Sequence, residues 1–182
     1  MKVYYVGAQS TGKTTLTRYT SEKYKLPILP ECARQVLSER ELQIDSLRSD
    51  IETVNSYQTE VFNRQLLEES KLTSFVADRS LLDAVAYSAQ HSTIVNELVK
   101  RPEFEQYITA LKDATIFFVR PSKATLKSDG VREQLNWDAV VSIDSMLKLL
   151  LEMFSIKYYN ISTDSAQERI RFIDAVMSLI VV

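Results

Sequence analysis

The strongest constraint on the fold is the segment GAQSTGKT at residues 7–14, which directly follows the apolar run VYYV at residues 3–6. The segment matches the pattern Gly-x4-Gly-Lys-Ser/Thr, with a strand-like run before it and a helix-like run after it. Gly7 and Gly12 let successive backbone N–H groups turn towards a phosphate, at the positive end of the helix that follows. Lys13 then reaches the β- and γ-phosphates, and the Thr14 hydroxyl binds Mg²⁺.

The motif therefore predicts a site for a nucleoside triphosphate. The alternative is a chance match in an ordinary glycine loop. The residues expected to contact the nucleotide here are Gly7, Ser10, Thr11, Gly12, Lys13, Thr14 and Thr15.

The composition is that of one globular domain spanning residues 1–182. A net charge of −2 gives no general support for duplex nucleic acid as a partner, although it leaves a local basic groove open. No apolar run reaches membrane-spanning length and the N-terminus lacks a signal-peptide pattern, so we expect a cytoplasmic protein without a membrane partner. Cys32 is the only cysteine, which excludes an intrachain disulfide and a cysteine-built metal site.

Five apolar runs indicate strands, and they alternate with amphipathic segments that indicate helices. The predicted strands are residues 2–6, 26–30, 73–78, 114–119 and 156–161. This alternation predicts an α/β fold in three layers, with a five-stranded parallel sheet covered by helices on both faces, as in phosphate-loop NTPases. Ligands in such sheets bind beyond the carboxyl ends of the strands, where the phosphate loop, Glu31, Asp78 and the turn at residues 162–164 should converge.

Asp78 ends a predicted strand at the position where a phosphate-loop protein places a carboxylate near Mg²⁺. Thr14 and Asp78 are therefore the predicted metal-binding residues, with helix capping by Asp78 as the alternative. The fork-shaped Arg79 side chain suits either a clamp on a phosphate or an ion pair with a carboxylate.

The order of the phosphate loop, LPECAR at residues 29–34 and VADRS at residues 76–80 resembles the phosphate-loop nucleoside and nucleotide kinases. The similarity is greatest to ribosylnicotinamide kinases and the small phage-type AAA/kinase proteins grouped with them, and to deoxynucleoside kinases. It covers most of the chain and implies ATP and Mg²⁺ as cofactors. It also implies that Glu31 is the general base or orients the attacking hydroxyl, beside Lys13, Asp78 and Arg79. The alternative for Glu31 is a solvated acid that pairs with Arg34.

The same resemblance implies a short lid at about residues 121–137, where Arg132, with Lys127, neutralises the transferring phosphoryl group and Gly130 permits closure. An ordinary polar loop is the alternative. Thr163 would edge the adenine pocket, unless its turn only caps the next helix. The helix at residues 51–70 would face the acceptor, although its aromatic stripe equally suits a core. The candidates on that helix are Tyr57, Gln58, Phe62, Arg64 and Gln65.

The leading prediction is a kinase that transfers the γ-phosphate of ATP to a nucleoside, a nucleoside monophosphate or a ribosylnicotinamide-like acceptor, with the small-molecule acceptor as its partner. One alternative is a kinase acting on DNA, at a polynucleotide end or a hydroxymethylated base. Another is a non-kinase ATPase switch, against which the chain has no Asn-Lys-x-Asp motif and no room for the lid domain of oligomeric ATPases. Both a monomer and a homodimer remain open.

Overall fold

The computed structural model describes residues 1–40, 50–123 and 136–180. Arg132, Lys127 and Gly130 lie outside the described residues. In chain order the elements are β1 (Lys2–Val6), α1 (Lys13–Tyr24), β2 (Ile28–Leu29), α2 (Cys32–Glu39), α3 (Ile51–Ser70), β3 (Phe75–Asp78), α4 (Leu81–His91), α5 (Val95–Val99), α6 (Pro102–Leu111), β4 (Thr115–Val119), α7 (Trp137–Met153), β5 (Tyr159–Ile161) and α8 (Ala166–Ile180).

The five strands form one sheet in the order β2-β3-β1-β4-β5, and every described pairing is parallel. The sequence prediction of a five-stranded parallel sheet is confirmed. Central strand β1 pairs with β3 on one side and β4 on the other, so the loop that follows it emerges between the ends of both neighbours. This is the position in an open α/β sheet where a ligand is expected to bind.

Alternating residues of β1 supply two separate cores, because successive side chains of a strand point to opposite faces. Val3 and Tyr5 pack in a cluster with apolar residues of α1 and α8. Tyr4 and Val6 belong to a larger cluster on the other face, built mainly from α2 to α7. The predicted covering of both sheet faces is therefore confirmed.

Several element boundaries differ from the sequence prediction. Strand β2 is only Ile28–Leu29, since the flanking Pro27 and Pro30 have no N–H group for the ladder. Residue Ile156, predicted in the last strand, instead donates its N–H to the Leu151 carbonyl, 2.9 Å away, at the end of α7. Ile180, predicted on the inner face of the last helix, is 38% exposed. Trp137, predicted as the end of the lid, is the first residue of α7.

A buried polar cluster defines where α4 begins. The Glu69 carboxylate accepts hydrogen bonds from the hydroxyls of Tyr4 and Tyr107 and, at 2.8 Å, from Gln65 Nε2. The Tyr107 hydroxyl oxygen in turn accepts the Leu81 N–H at 3.1 Å. Because buried polar groups of this kind need all their partners, the cluster holds the first residue of α4 in one position. The segment of residues 78–80 that precedes α4 carries two of the predicted site residues.

No helix in the described part of the chain is long and apolar enough to cross a membrane.

Candidate functional site

The phosphate loop joins β1 to α1 and has the backbone conformation that its glycines allow. Gly7 and Gly12 have φ angles of 148° and 89°, and Ser10 has a φ of 60°. A Cβ atom on Gly7 would lie 2.4 Å from the carbonyl oxygen of Val119, so the loop sits tightly against the end of β4. Helix α1 begins with the N–H of Thr15 donating to the Gly12 carbonyl at 3.1 Å. All loop residues predicted to contact a nucleotide therefore lie together at the carboxyl edge of the sheet.

The side chain of Lys13 lies inside the loop. Its ammonium donates to the Ala8 carbonyl at 2.6 Å and to Thr11 Oγ1 at 3.2 Å. Burial lowers the pKa of Lys13 to about 8, and the neighbouring Arg79 acts in the same direction, while Asp78 opposes them. A buried cation held by neutral oxygen atoms is a good partner for an anion that enters the loop.

Thr14 and Asp78, the two predicted metal ligands, are in direct contact. The Thr14 hydroxyl donates to Asp78 Oδ2 at 2.5 Å, although the residues are 64 positions apart. A hydroxyl and a carboxylate are oxygen donors that suit Mg²⁺, which fills its remaining positions with phosphate oxygens and water. Among the described residues no group of three or more His, Cys, Asp or Glu residues forms a metal site. The hydroxyl of Thr14 and the carboxylate of Asp78 fit a magnesium ion as oxygen ligands.

Glu31 and Arg79 form a largely buried ion pair beside the loop. Arg79 Nε donates to Glu31 Oε1 at 2.8 Å, and Arg34 Nε lies 2.8 Å from Glu31 Oε2. The side chain of Glu31 is only 13% exposed. Burial opposes its ionisation, but Arg79, Lys13 and Arg34 outweigh burial and hold the pKa of Glu31 below its ordinary value. Glu31 therefore pairs with Arg34, as the alternative from the sequence had it, but it is largely buried and also pairs with Arg79.

Arg79 is held in an uncommon conformation. Its φ is 85°, in the left-handed region, and its guanidinium stacks on the Tyr87 ring with 4.8 Å to the ring centroid. The buried Nη1 atom has no hydrogen-bond partner among the described residues, and it lies 3.8 Å from a carboxylate oxygen of Asp83. A buried donor without a partner is costly, and an oxygen atom of a ligand would satisfy it.

Two further residues of α4 hold the phosphate loop, and the sequence analysis missed both. Asp83 is fully buried and accepts the Gly7 N–H at 3.1 Å, while its other oxygen caps the helix by accepting the Ser80 N–H at 2.9 Å. The Tyr87 hydroxyl accepts the Gln9 N–H at 3.1 Å and donates to the Gln9 side chain. The Ser-x-x-Asp capping pattern at residues 80–83 was a signal for the cap, but nothing local pointed to the loop.

Thr163 lies in the turn between β5 and α8. Its hydroxyl accepts the Ser165 N–H at 3.2 Å and donates to Glu168, which are contacts of a turn that starts a helix. Its carbonyl accepts a hydrogen bond from Arg169 Nε at 2.6 Å, and the same arginine donates to the phosphate loop. Sequence reasoning missed Arg169 as well. The adenine-edge role of Thr163 stays a prediction.

The candidates on α3 have different environments. Phe62 is fully buried in the core, and Gln65 is bonded to the buried Glu69, so neither is free to contact an acceptor. Arg64 pairs with Glu39 at 2.7 Å on the outer side of α3. The Tyr57 hydroxyl donates to the Ala33 carbonyl at 2.9 Å, which links α3 to the helix that follows Glu31. Helical spacing did not distinguish core positions from cleft positions here.

The loop, the Thr14–Asp78 contact and the parallel sheet define the fold of phosphate-loop NTPases. The chain belongs to a family described as an AAA domain, whose model matches residues 2–169. None of the curated protein sequences compared with the chain matches it.

Solved structures share the fold at low sequence identity. A deoxyadenosine kinase from M. mycoides, with the products dCMP and a flexible dCDP bound, superposes with a TM-score of 0.68 and 15% identity over 99% of this chain and 98% of the other. A shikimate kinase from Acinetobacter baumannii, in complex with shikimate, has a TM-score of 0.62 and 15% identity over 99% and 92% of the chains. A NadR protein in complex with NR has a TM-score of 0.62 and 17% identity over 90% of this chain, which spans only 44% of that protein. At identities this low, the superpositions show a shared fold and nothing further.

Proposed function

We propose that the protein is an ATP- and Mg²⁺-dependent kinase that transfers a phosphoryl group to a hydroxyl of a small nucleoside-like acceptor. The observation that carries the proposal is the position of the Glu31–Arg79 pair. It lies at the same strand edge as the phosphate loop and the Thr14–Asp78 contact. A site that only binds a nucleotide needs the phosphate loop and the Thr14–Asp78 contact. A kinase also needs a place for an acceptor, which the Glu31–Arg79 pair would supply.

The donor side of the reaction uses the loop and its lysine. The loop N–H groups and Lys13 bind the phosphates of ATP, so that negative charge meets fixed donors in a site shielded from water. Thr14 and Asp78 would hold Mg²⁺, which would supply further neutralisation of the phosphate charge. Support for this assignment comes from the 2.5 Å contact between the two side chains and from the buried ammonium of Lys13.

On the acceptor side, Glu31 accepts the hydrogen bond of the attacking hydroxyl and orients its oxygen towards the γ-phosphate. Its lowered pKa keeps it ionised at neutral pH, and hence an acceptor. A weak base is sufficient, because the transition state of phosphoryl transfer is loose and the attacking hydroxyl need not lose its proton early. The unpartnered Nη1 of Arg79 can donate a hydrogen bond to an oxygen of the acceptor or of the phosphoryl group during transfer.

A neutral hydroxyl fits this side better than the phosphate of a nucleoside monophosphate. In the described residues of α2 and α3, Arg34 pairs with Glu31, and Arg64 pairs with Glu39. Arg40, just after α2, pairs with Glu60. An acceptor phosphate needs a cation, and each of these arginines, like Arg79, already pairs with a carboxylate. A hydroxyl needs only the Glu31 carboxylate and one donor, such as Arg79 Nη1.

Two parts of the site remain predictions. Thr163 would lie at the adenine edge, and Arg132, which is outside the described residues, would be the phosphate clamp of the lid. Assignment to the cytoplasm and to a single domain over residues 1–182 rests on the sequence alone.

The test is ATP consumption with Mg²⁺ against a panel of nucleosides, nucleoside monophosphates, ribosylnicotinamide and DNA ends. Turnover should require one small acceptor with a free hydroxyl. Glu31→Gln should lower kcat by roughly 100-fold or more with little change in nucleotide affinity, and Lys13→Ala should abolish nucleotide binding. Glu39→Gln is the matched control, since it removes an exposed carboxylate from α2, the helix that Glu31 immediately precedes.

The outcome of the panel also separates the alternatives. Turnover that needs a DNA end would replace the small acceptor by a polynucleotide. Slow hydrolysis that ignores every acceptor, and that Glu31→Gln leaves unchanged, would contradict the kinase and support an ATPase switch.

A further inference from the structure

We propose that Arg169 is a positioning residue for the phosphate loop. It holds the Thr11 carbonyl on the outer side of the loop, and thereby aims the next backbone N–H, that of Gly12, at the bound phosphates. The proposal rests on the proposed function in one respect, namely that the loop binds the phosphates of a nucleotide.

The contacts of Arg169 connect two distant parts of the chain. Arg169 is in the first turn of α8 and only 5% exposed. Its Nη1 donates to the carbonyl of Thr11, 158 positions earlier, at 2.6 Å, and its Nε donates to the carbonyl of Thr163 at 2.6 Å. A Cβ atom on Gly12 would lie 3.2 Å from Nη1, so the guanidinium packs directly against the loop.

Peptide geometry turns this contact into an effect on the site. The Thr11 carbonyl and the Gly12 N–H belong to one planar peptide unit, and no described peptide bond is cis. In a trans peptide these two groups point in opposite directions. A donor that holds the carbonyl on one side therefore directs the N–H to the other side, which we assign to the phosphates.

The electrostatics of Arg169 point to a role beyond holding the fold. Its nearest carboxylate oxygen, on Asp164, is 3.9 Å from Nη2, and this buried Nη2 has no hydrogen-bond partner in the described part of the chain. Burial lowers the pKa of Arg169, which reflects the cost of placing a cation there. A neutral donor would satisfy the same carbonyls at lower cost. A fixed positive charge behind an anion-binding loop also attracts the anion.

The turn at Thr163 is held by the same guanidinium as the phosphate loop. Because one guanidinium donates to both the turn and the loop, a displacement of the turn is passed to the loop through two short hydrogen bonds. The C-terminal helix thus contributes to phosphate binding without a side chain that touches the ligand.

The experiment measures the binding of Mg²⁺-ATP and of inorganic tripolyphosphate by calorimetry to the wild-type protein and to Arg169→Met, Arg169→Lys and Arg171→Met. Arg169→Met should weaken both ligands by roughly 10-fold to 100-fold, the range for a charge-assisted hydrogen bond. Arg169→Lys keeps the charge but lacks the two donors that Nε and Nη1 hold in fixed positions. Its loss of affinity should be smaller, and it covers the case in which Arg169→Met does not fold. Arg171→Met removes an exposed charge from the same helix and should bind as the wild type does.

The affinity for tripolyphosphate and the binding stoichiometry distinguish positioning from a purely structural role. A purely structural role would lower the melting temperature and the fraction of protein that binds, at an unchanged Kd, and would overturn the proposal. Loss of affinity for ATP but not for tripolyphosphate would place the effect at the turn and would also overturn it. A wild-type protein that binds neither ligand would refute the proposed nucleotide site itself, and this inference with it.

Discussion

Replacing Gly7 with alanine should destabilise the protein more than the same change at Gly12. Both glycines belong to the phosphate loop and both have positive φ, at 148° and 89°. An L residue at such a φ costs about 1–3 kcal/mol. What differs between the two positions is the atom that the new methyl group would meet.

At Gly7 the new Cβ would lie 2.4 Å from the Val119 carbonyl oxygen, against 3.4 Å for an ordinary contact. The obstacle is backbone of the buried strand β4, so the loop or the strand end must move by about 1 Å, which typically adds roughly 1–3 kcal/mol. At Gly12 the nearest atom is the side-chain Nη1 of Arg169 at 3.2 Å, which can move. We therefore expect losses of about 4 kcal/mol for Gly7→Ala and about 2 kcal/mol for Gly12→Ala.

Equilibrium urea unfolding, followed by circular dichroism, measures both free energies of unfolding. For a chain of this length each kcal/mol corresponds to roughly 2–4 °C in Tm, so Gly7→Ala should melt about 8–16 °C below the wild type. Equal losses for the two variants, or a Gly7→Ala protein within 1 kcal/mol of wild type (about the spread of ordinary mutations), would refute the close packing of the loop against β4.

Three further predictions concern charged groups of the site. Because burial lowers the pKa of Lys13 to about 8, nucleotide binding should take up a proton above that pH and weaken by up to about tenfold per pH unit. Calorimetry in two buffers of different ionisation enthalpy measures the proton uptake, and an affinity that stays constant from pH 7 to about 9.5 would contradict it. Asp78→Asn should raise the Mg²⁺ concentration for half-maximal turnover at least about tenfold, because a metal-binding charge is lost; an unchanged Mg²⁺ titration would count against this site. Asp83→Asn should cost about 2–3 kcal/mol in unfolding experiments, since an amide NH₂ would face a backbone donor, that of Gly7 or of Ser80. A cost as small as that of the exposed Asp138→Asn would contradict this account.

Local patterns predicted the elements of the fold well. The phosphate-loop motif, the apolar runs and the helical stripes depend on neighbouring residues, and they led to a five-stranded parallel sheet with helices on both faces. The predicted ends of the strands were less accurate where a proline or a helix end interrupted an apolar run. Pro27 and Pro30 shorten β2, and Ile156 donates its N–H to the end of α7 instead of joining β5.

The sequence predicted the location of those site residues that lie at the ends of strands. Asp78 and Glu31 follow apolar runs, and parallel strands bring their carboxyl ends to one edge, so a meeting with the phosphate loop followed from topology. Whether a helical residue faces the cleft or the core did not follow, because periodicity marks an apolar stripe without saying what covers it. Phe62 and Gln65 turned out to belong to the core.

The sequence by itself determined the phosphate loop, the order of strands and helices, and the residue types that can bind phosphate and Mg²⁺. Only the tertiary structure decided which side chains hold those groups in place. Glu31 meets Arg79 across 48 positions, Asp83 meets Gly7 across 76, and Arg169 meets Thr11 across 158. Such pairs leave no local pattern, because a hydrogen bond between distant segments depends on where the packed sheet and helices place them and not on spacing along the chain.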